Sequence, residues 1–277
     1  MISRFLVSFV FLTAMVVAPS VQAQDILTLL KTKNERPEPP APPQLFPYDY
    51  IVEYSTSEKS KKEVSIFFAR YKVSPSAPTG TRITILETSN DTENEDFISH
   101  IKELDNEDIS AEEFANEIWC NSPDDDEDEG DQEKLSELLS SDRVTVVSED
   151  DDQAVLEMKL SDALEVIDFD SSDIEFEGDE DDQASGLAKK FLKRLNMKMT
   201  LSKPDAQVRA MQISLLKPMR VFLVAKIKEM DVNLQCELAP NGHYYNAETS
   251  MQTRMSALGT KIEQSNHIKV VELIPTK

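Results

Sequence analysis

The sequence predicts an α+β protein that is mainly β: a curved antiparallel sheet or half-barrel with a helical, acidic insertion. Three observations lead there. Met230, Val232, Leu234, Cys236 and Leu238 alternate with Asp231, Asn233, Gln235 and Glu237. A period of two puts the apolar side chains on one face of a strand and the polar ones on the other. Ala239-Pro240-Asn241-Gly242-His243 follows, and its Pro and Asn-Gly suit a tight reversal. Tyr245, Ala247, Thr249, Met251, Thr253 and Met255 then resume the alternation, which completes a hairpin with one dry face. Third, Glu87–Asp182 carries 38 Asp and Glu against 4 Lys and Arg, between mildly basic ends, in a chain of net charge −23.

The elements follow in order. Met1–Ala23 reads as a secretory signal peptide, with Arg4 in the n-region, an apolar core from Phe5 to Val17, and Val21-Gln22-Ala23 as cleavage site. An apolar core this short falls below the ~20 residues of a membrane-spanning helix, which disfavours an uncleaved anchor. The mature chain is expected to begin near Gln24, in a Gram-negative periplasm, with no transmembrane span. Residues 24–47 form a linker whose Pro-rich part, Arg36–Pro47, favours extended polyproline II.

Residues 48–277 are expected to form one half-barrel-like domain, with the acidic insertion at 88–183. Tyr48, Tyr50, Val52 and Tyr54 alternate as a first strand. Glu63–Val73 is a second, with Phe67, Ala69, Tyr71 and Val73 on one face and Val64, Ile66 and Phe68 on the other. Two apolar faces at its start predict a well-buried end. Arg82–Glu87 is a third strand. Phe97, Ile101 and Leu104 recur at helical spacing, and Ser110-Ala111-Glu112-Glu113 resembles a capping box before Phe114, Ile118 and Trp119. Pro123–Asp131 and Asp168–Asp182 are acidic loops. Arg143–Val147 and Ala154–Leu160 read as a hairpin, and Ser161–Ile167 as a helical turn. Ala184–Leu195 is a basic amphipathic helix, with Leu187, Phe191 and Leu195 on one face. Its apolar stripe fits either packing on the sheet or contact with an anionic surface. Strands at Asn196–Leu201, Gln207–Leu216, Val221–Ile227 and His267–Ile274 bring the total to nine to eleven.

The chemistry is sparse. His100, His243 and His267 lie in different elements, none with a Cys or His at metal-ligand spacing. The chain carries no nucleophile elbow and no phosphate-cradling Gly loop. These observations argue against an enzyme, and no cofactor or metal is implied. Asp125-x-Glu127-x-Glu129-Gly130 begins like a calcium loop but places Ser136 where the bidentate Glu belongs; Asp173-x-Glu175-x-Glu177-Gly178 fails likewise at Ala184. The acidic balance excludes general nucleic-acid binding, which needs a basic surface. Cys120 and Cys236 form either one disulfide across a long loop or two buried thiols.

What remains is an apolar sheet face rich in Met, Phe and Tyr. Phe67, Phe68, Tyr71, Met199, Met211, Met230 and Met251 are its candidate ligand-binding residues. Flexible, polarisable thioethers adapt to irregular apolar partners, so lipid or a lipoprotein acyl chain is the expected ligand; the same residues equally suit an ordinary core. With a filled core, the acidic middle would instead dock a basic periplasmic protein.

Asp205-Ala206-Gln207-Val208-Arg209-Ala210-Met211-Gln212-Ile213, with the long strands around Met230–Leu238 and Tyr245–Ala257, resembles the periplasmic lipoprotein-carrier fold of LolA and LolB. The resemblance covers Tyr48–Leu86 and Asn196–Ile274 and carries no functional residue over to a matched position. It implies an incomplete β-barrel around a helical lid, with an apolar cavity for lipid chains. The acidic middle departs from that pattern.

Overall fold

The computed structural model describes residues 47–61, 63–89, 94–106, 118, 120, 143–164, 190–203, 207–222 and 225–276. The expected signal peptide, the linker up to Phe46 and most of the acidic tracts lie outside them. Eleven strands form one sheet: β1 (Tyr48–Ser60), β2 (Val64–Val73), β3 (Ile83–Thr88), β4 (Thr145–Glu149), β5 (Gln153–Lys159), β6 (Leu195–Ser202), β7 (Val208–Leu215), β8 (Met219–Phe222), β9 (Ala225–Leu238), β10 (Tyr244–Ala257) and β11 (Thr260–Pro275). Two helices are described, α1 (Asn94–Asp105) and the short α2 (Leu160–Leu164). The strand order is β3-β2-β1-β11-β10-β9-β7-β6-β5-β4, with β8 also paired to β9, and every pairing is antiparallel. The ends, β3 and β4, do not meet: the sheet is open and does not close into a barrel. β4 and β5, inside the span drawn as an insertion, extend this same sheet beyond β6.

Side chains of directly opposed residues share a face, so the registers define the two surfaces. One row runs Met158, Met197, Ile213, Val232, Met251, Asn266, Thr56 and Phe67, from β5 across to β2. The next runs Leu156, Met199, Met211, Leu234, Thr249, Ile268, Tyr54 and Ala69. These rows make the apolar face. Its principal core centres on Leu156, Leu160, Leu195, Met197 and Cys120, all essentially inaccessible to solvent. The opposite face is polar. Lys59, Glu263, Arg254 and Glu229 form one cross-strand row there, and Ser57, Ser265, Gln252 and Asp231 another.

An apolar face on a single sheet needs cover, and several segments supply it. α1 lays Phe97 on β1 and β2, its ring stacked on Tyr54 at 5.2 Å and inclined to Phe67 at 4.9 Å. Phe191 and Leu192 pack against the principal core. Ile118 and Cys120 fill a gap in the sheet itself. The β10–β11 ladder stops at Glu248↔Lys269, and beyond it β11 continues with β1 alone. There the Cys120 N–H donates to the Tyr244 carbonyl (3.0 Å) and the Asn246 N–H to that of Ile118 (2.8 Å).

Several expectations are corrected. The start of β2 is not well buried: Val64 and Ile66 are 62% and 61% exposed, because no described residue covers the polar face there. Leu238, assigned to the dry face, is exposed at the end of β9. The basic helix expected to reach Leu195 ends at 192; after a turn at 193–194, Leu195 opens β6 opposite Leu215. Its side chain is still buried, but in the sheet rather than on a helix stripe. Finally, β10 does not keep one face throughout. A bulge at Ala247 adds a residue, and such an insertion shifts the alternation. Tyr244 therefore joins Cys236 beside the principal core, while Tyr245 and Ala247 pack with Tyr48 and Ile118 in a second cluster.

Candidate functional site

The sheet brings most of the candidate ligand-binding residues to one face, in two groups. Met211 and Met251 are buried in the principal core, and Met199 and Met230 lie at its margin. Met199 faces Met211 directly, and Met230 faces Thr253. Phe67 and Tyr71 belong to a separate ring cluster around Phe97, with Tyr54. A polar seam parts the groups: the Thr56 hydroxyl donates to Asn266 Oδ1 at 2.6 Å, and the Thr249 hydroxyl to Asn246 Oδ1 at 3.0 Å. Loss of solvent around Tyr71, with Tyr54 beside it, pushes its phenol above the ordinary value. Phe68 does not join either group. Opposite Ser55, it lies on the polar face, because neighbouring residues of a strand point to opposite sides.

Phe97 is the residue that sequence reasoning left out of the site. Its signal was available in the helical spacing with Ile101 and Leu104; only the packing of α1 on β1 and β2 shows that Phe67 and Tyr71 gather around it. Asp105, at the end of α1, was equally silent. Its carboxylate accepts from the Arg82 N–H (2.7 Å) and the Ile83 N–H (3.2 Å), and its carbonyl from the Gly80 N–H (2.7 Å). These bonds fix the helix against the loop entering β3.

Cys120 and Cys236 are joined as a disulfide, with Cα atoms 6.1 Å apart and a separation of 116 positions in sequence. The bond pins Cys120 where its N–H already donates to β10. Nearby, the Arg209 guanidinium lies 3.6 Å above the Tyr244 ring, a favourable use of the ring's negative face. Tyr245 donates to Glu237 Oε2 at 3.3 Å. Burial, and next the charge of Glu237, raise its phenol to about 12.

The polar face holds a shallow concavity of about 210 Å³, lined chiefly by Ser57, Lys59, Glu229, Arg254, Glu263 and Ser265. Arg254 reaches Glu229 at 2.8 Å and Glu263 at 3.4 Å. Such a lining offers hydrogen bonds and charge but little apolar area for an acyl chain. His267 sits on this face against Glu248 (3.0 Å), which Lys269 also approaches (3.6 Å). His243 lies in the β9–β10 turn, where burial lowers its pKa. Among the described residues, no group of three or more His, Cys, Asp or Glu is placed to hold a metal ion. The two calcium-like tracts lie outside the described residues. Among the described residues, no helix is long and apolar enough to cross a membrane.

No family profile, curated protein or solved structure matches the chain.

Proposed function

We propose that this is an exported, non-enzymatic interaction module: a sheet whose apolar face is filled by its own chain, and whose charged surface docks a protein partner. The observation that carries this reading is the packing of the apolar rows. Met197, Met211, Met251 and Phe67 are buried against one another's neighbours and beneath α1, Cys120 and Leu192. Side chains already in contact have little surface left to offer a ligand. The acidic middle then supplies the docking charge, and its partner is a basic periplasmic protein. Association of this kind weakens as salt rises.

A second reading stands on a different observation. Met199, Met230 and Phe191 are only partly buried at the margin of the core, and flexible thioethers at a margin suit a changeable apolar partner. An open antiparallel sheet with one apolar face also supports a carrier of the LolA and LolB kind, holding lipid or a lipoprotein acyl chain.

Native mass spectrometry of the mature protein, isolated from the periplasm and followed by solvent extraction, separates the two. A clean apo mass, with no uptake of added phospholipid, is the result expected of the interaction module. Lipid recovered at near-stoichiometric amounts would overturn it in favour of the carrier.

A further inference from the structure

A band of positive charge lies at one end of the sheet. Between Lys190 and Lys228 every charged residue described is a Lys or an Arg. Lys198 and Lys203 pair with Glu157 and Glu149, and Arg209 lies over Tyr244. Lys193, Arg194, Lys217, Arg220, Lys226 and Lys228 form no ion pair among the described residues. Neighbouring segments carry them. The turn at 193–194 meets the end of β7, where the Leu216 N–H donates to the Arg194 carbonyl (2.8 Å) and Arg194 Nη1 to the Pro218 carbonyl (2.9 Å). β8 then runs against the start of β9, with Arg220 directly opposite Lys226. Ser256 and Lys261 continue that row across β10 and β11.

Two features set this band apart from an ordinary solvated surface. The first is the opposed pair itself. Like charges facing each other in a ladder repel, at a cost to the fold. Glu229, beside Lys228, does not relieve it, because Arg254 engages that carboxylate at 2.8 Å. The second is exposed leucine. Leu216, next to Lys217, is 52% exposed, and Leu258 is 81% exposed. Ala257 lies opposite Ala225 at the start of β9, so the turn holding Leu258 projects from this same end. Leu258 also takes a left-handed φ of 49°, which disfavours a side chain of this kind.

We propose that this end of the sheet docks on an anionic phospholipid surface. Headgroup phosphates would neutralise Arg220, Lys226 and the cations around them. Leu216 and Leu258 would enter the boundary between headgroups and acyl chains. A single leucine on a turn suits a fluid apolar layer, which needs no matching pocket, and this favours lipid over an acidic protein. The net charge of −23 does not forbid the contact. Physiological salt screens exposed charges beyond about 8 Å, so the groups at the contact decide its sign. This end is separate from the methionine-rich core, so the inference stands whichever of the two readings above holds.

The test is flotation of the mature protein with extruded vesicles, either phosphatidylcholine alone or its equimolar mixture with phosphatidylglycerol. The mixed vesicles should carry the protein, the neutral ones should not, and raising salt should release it. Arg220→Ser combined with Lys226→Ser should weaken partition by roughly tenfold or more. Leu258→Asn should weaken it by roughly threefold or more, whereas Lys269→Ser, outside the band, should partition like wild type. Melting curves check that each variant folds; where the Arg220 and Lys226 pair does not, Lys193→Ser with Lys217→Ser carries the test. Equal partition into both kinds of vesicle would overturn the proposal, as would equal partition of wild type and the folded band variants. So would no binding to the mixed vesicles; retention on immobilised polyglutamate, lost in the band variants, would then assign the band to an acidic protein.

Discussion

Leu258 takes a φ of 49° and Gly259 one of 78°, so both residues of the β10–β11 connection are left-handed. Two-residue hairpins favour this geometry because its twist matches that of the strands, and Asn-Gly is the usual choice for it. A leucine there bears a steric cost, and at 81% exposure its side chain recovers little by packing. Leu258→Asn should therefore raise stability by about 1 kcal/mol, measured as a shift of the urea midpoint at unchanged slope. Tyr245 is a different case, since its phenol is held protonated by burial and by Glu237. The folded state binds that proton more tightly than the unfolded chain. Its contribution is thus complete below the unfolded value near 10 and is lost as pH rises from there through about 12. Alkaline titration at 295 nm should show late-ionising tyrosines, Tyr71 and Tyr245 among them, and Tyr245→Phe should remove one tyrosine's share of that late step.

At the scale of elements, the joint that Ile118 and Cys120 make with β10 is the one that most depends on a covalent link. It rests on two backbone hydrogen bonds to β10, the Ile118 side chain and the disulfide. The bond closes a loop of more than a hundred residues, and constraining an unfolded chain over such a length is worth a few kcal/mol. The paired replacement Cys120→Ser, Cys236→Ser should lower stability by about 2–5 kcal/mol. Hydrogen exchange should locate the loss first at Cys120→Ser and Asn246, whose amides make the two bonds. α1 is held differently, by stacked rings on one side and by the Asp105 carboxylate on the other. Its apolar spacing was legible in the sequence. The reason for an aspartate at its end was not, because the partners are backbone groups of the loop before β3, more than twenty residues earlier.

For the whole molecule, net charge outweighs the individual ion pairs. Arg254, Glu229 and Glu263 are each more than half exposed, and exposed pairs contribute about 0–1 kcal/mol. Against them stands the self-repulsion of a chain with 52 acidic and 29 basic residues. Screening acts on both, but the repulsion is the larger quantity. The melting temperature of the mature protein should therefore rise between low and physiological salt. A fall would mean that the cross-strand charge rows of the polar face matter more than their exposure implies.

The sequence by itself determined the class of structure, because a period of two is a local property of the chain. The hairpin of β9 and β10 and the alternation of β1 follow from which residues alternate, and the expected nine to eleven strands include the eleven described. The sequence also placed Met199, Met211, Met230 and Met251 on one face; Phe68, grouped with Phe67 as a candidate, lies on the other, and β10 changes face where it bulges at Ala247. That bulge needed the partner strand, since an extra residue is defined only against the ladder it interrupts. Tertiary structure alone decided that the first and last strands of the domain pair side by side, Tyr48 with Pro275 and Ser60 with Ile262. It alone decided that the sheet stays open at β3 and β4. It also decided that Cys120 reaches Cys236, and that the apolar start of β2 faces solvent. Each of these depends on which distant segment arrives beside a strand, and periodicity within a strand carries no information about its neighbours.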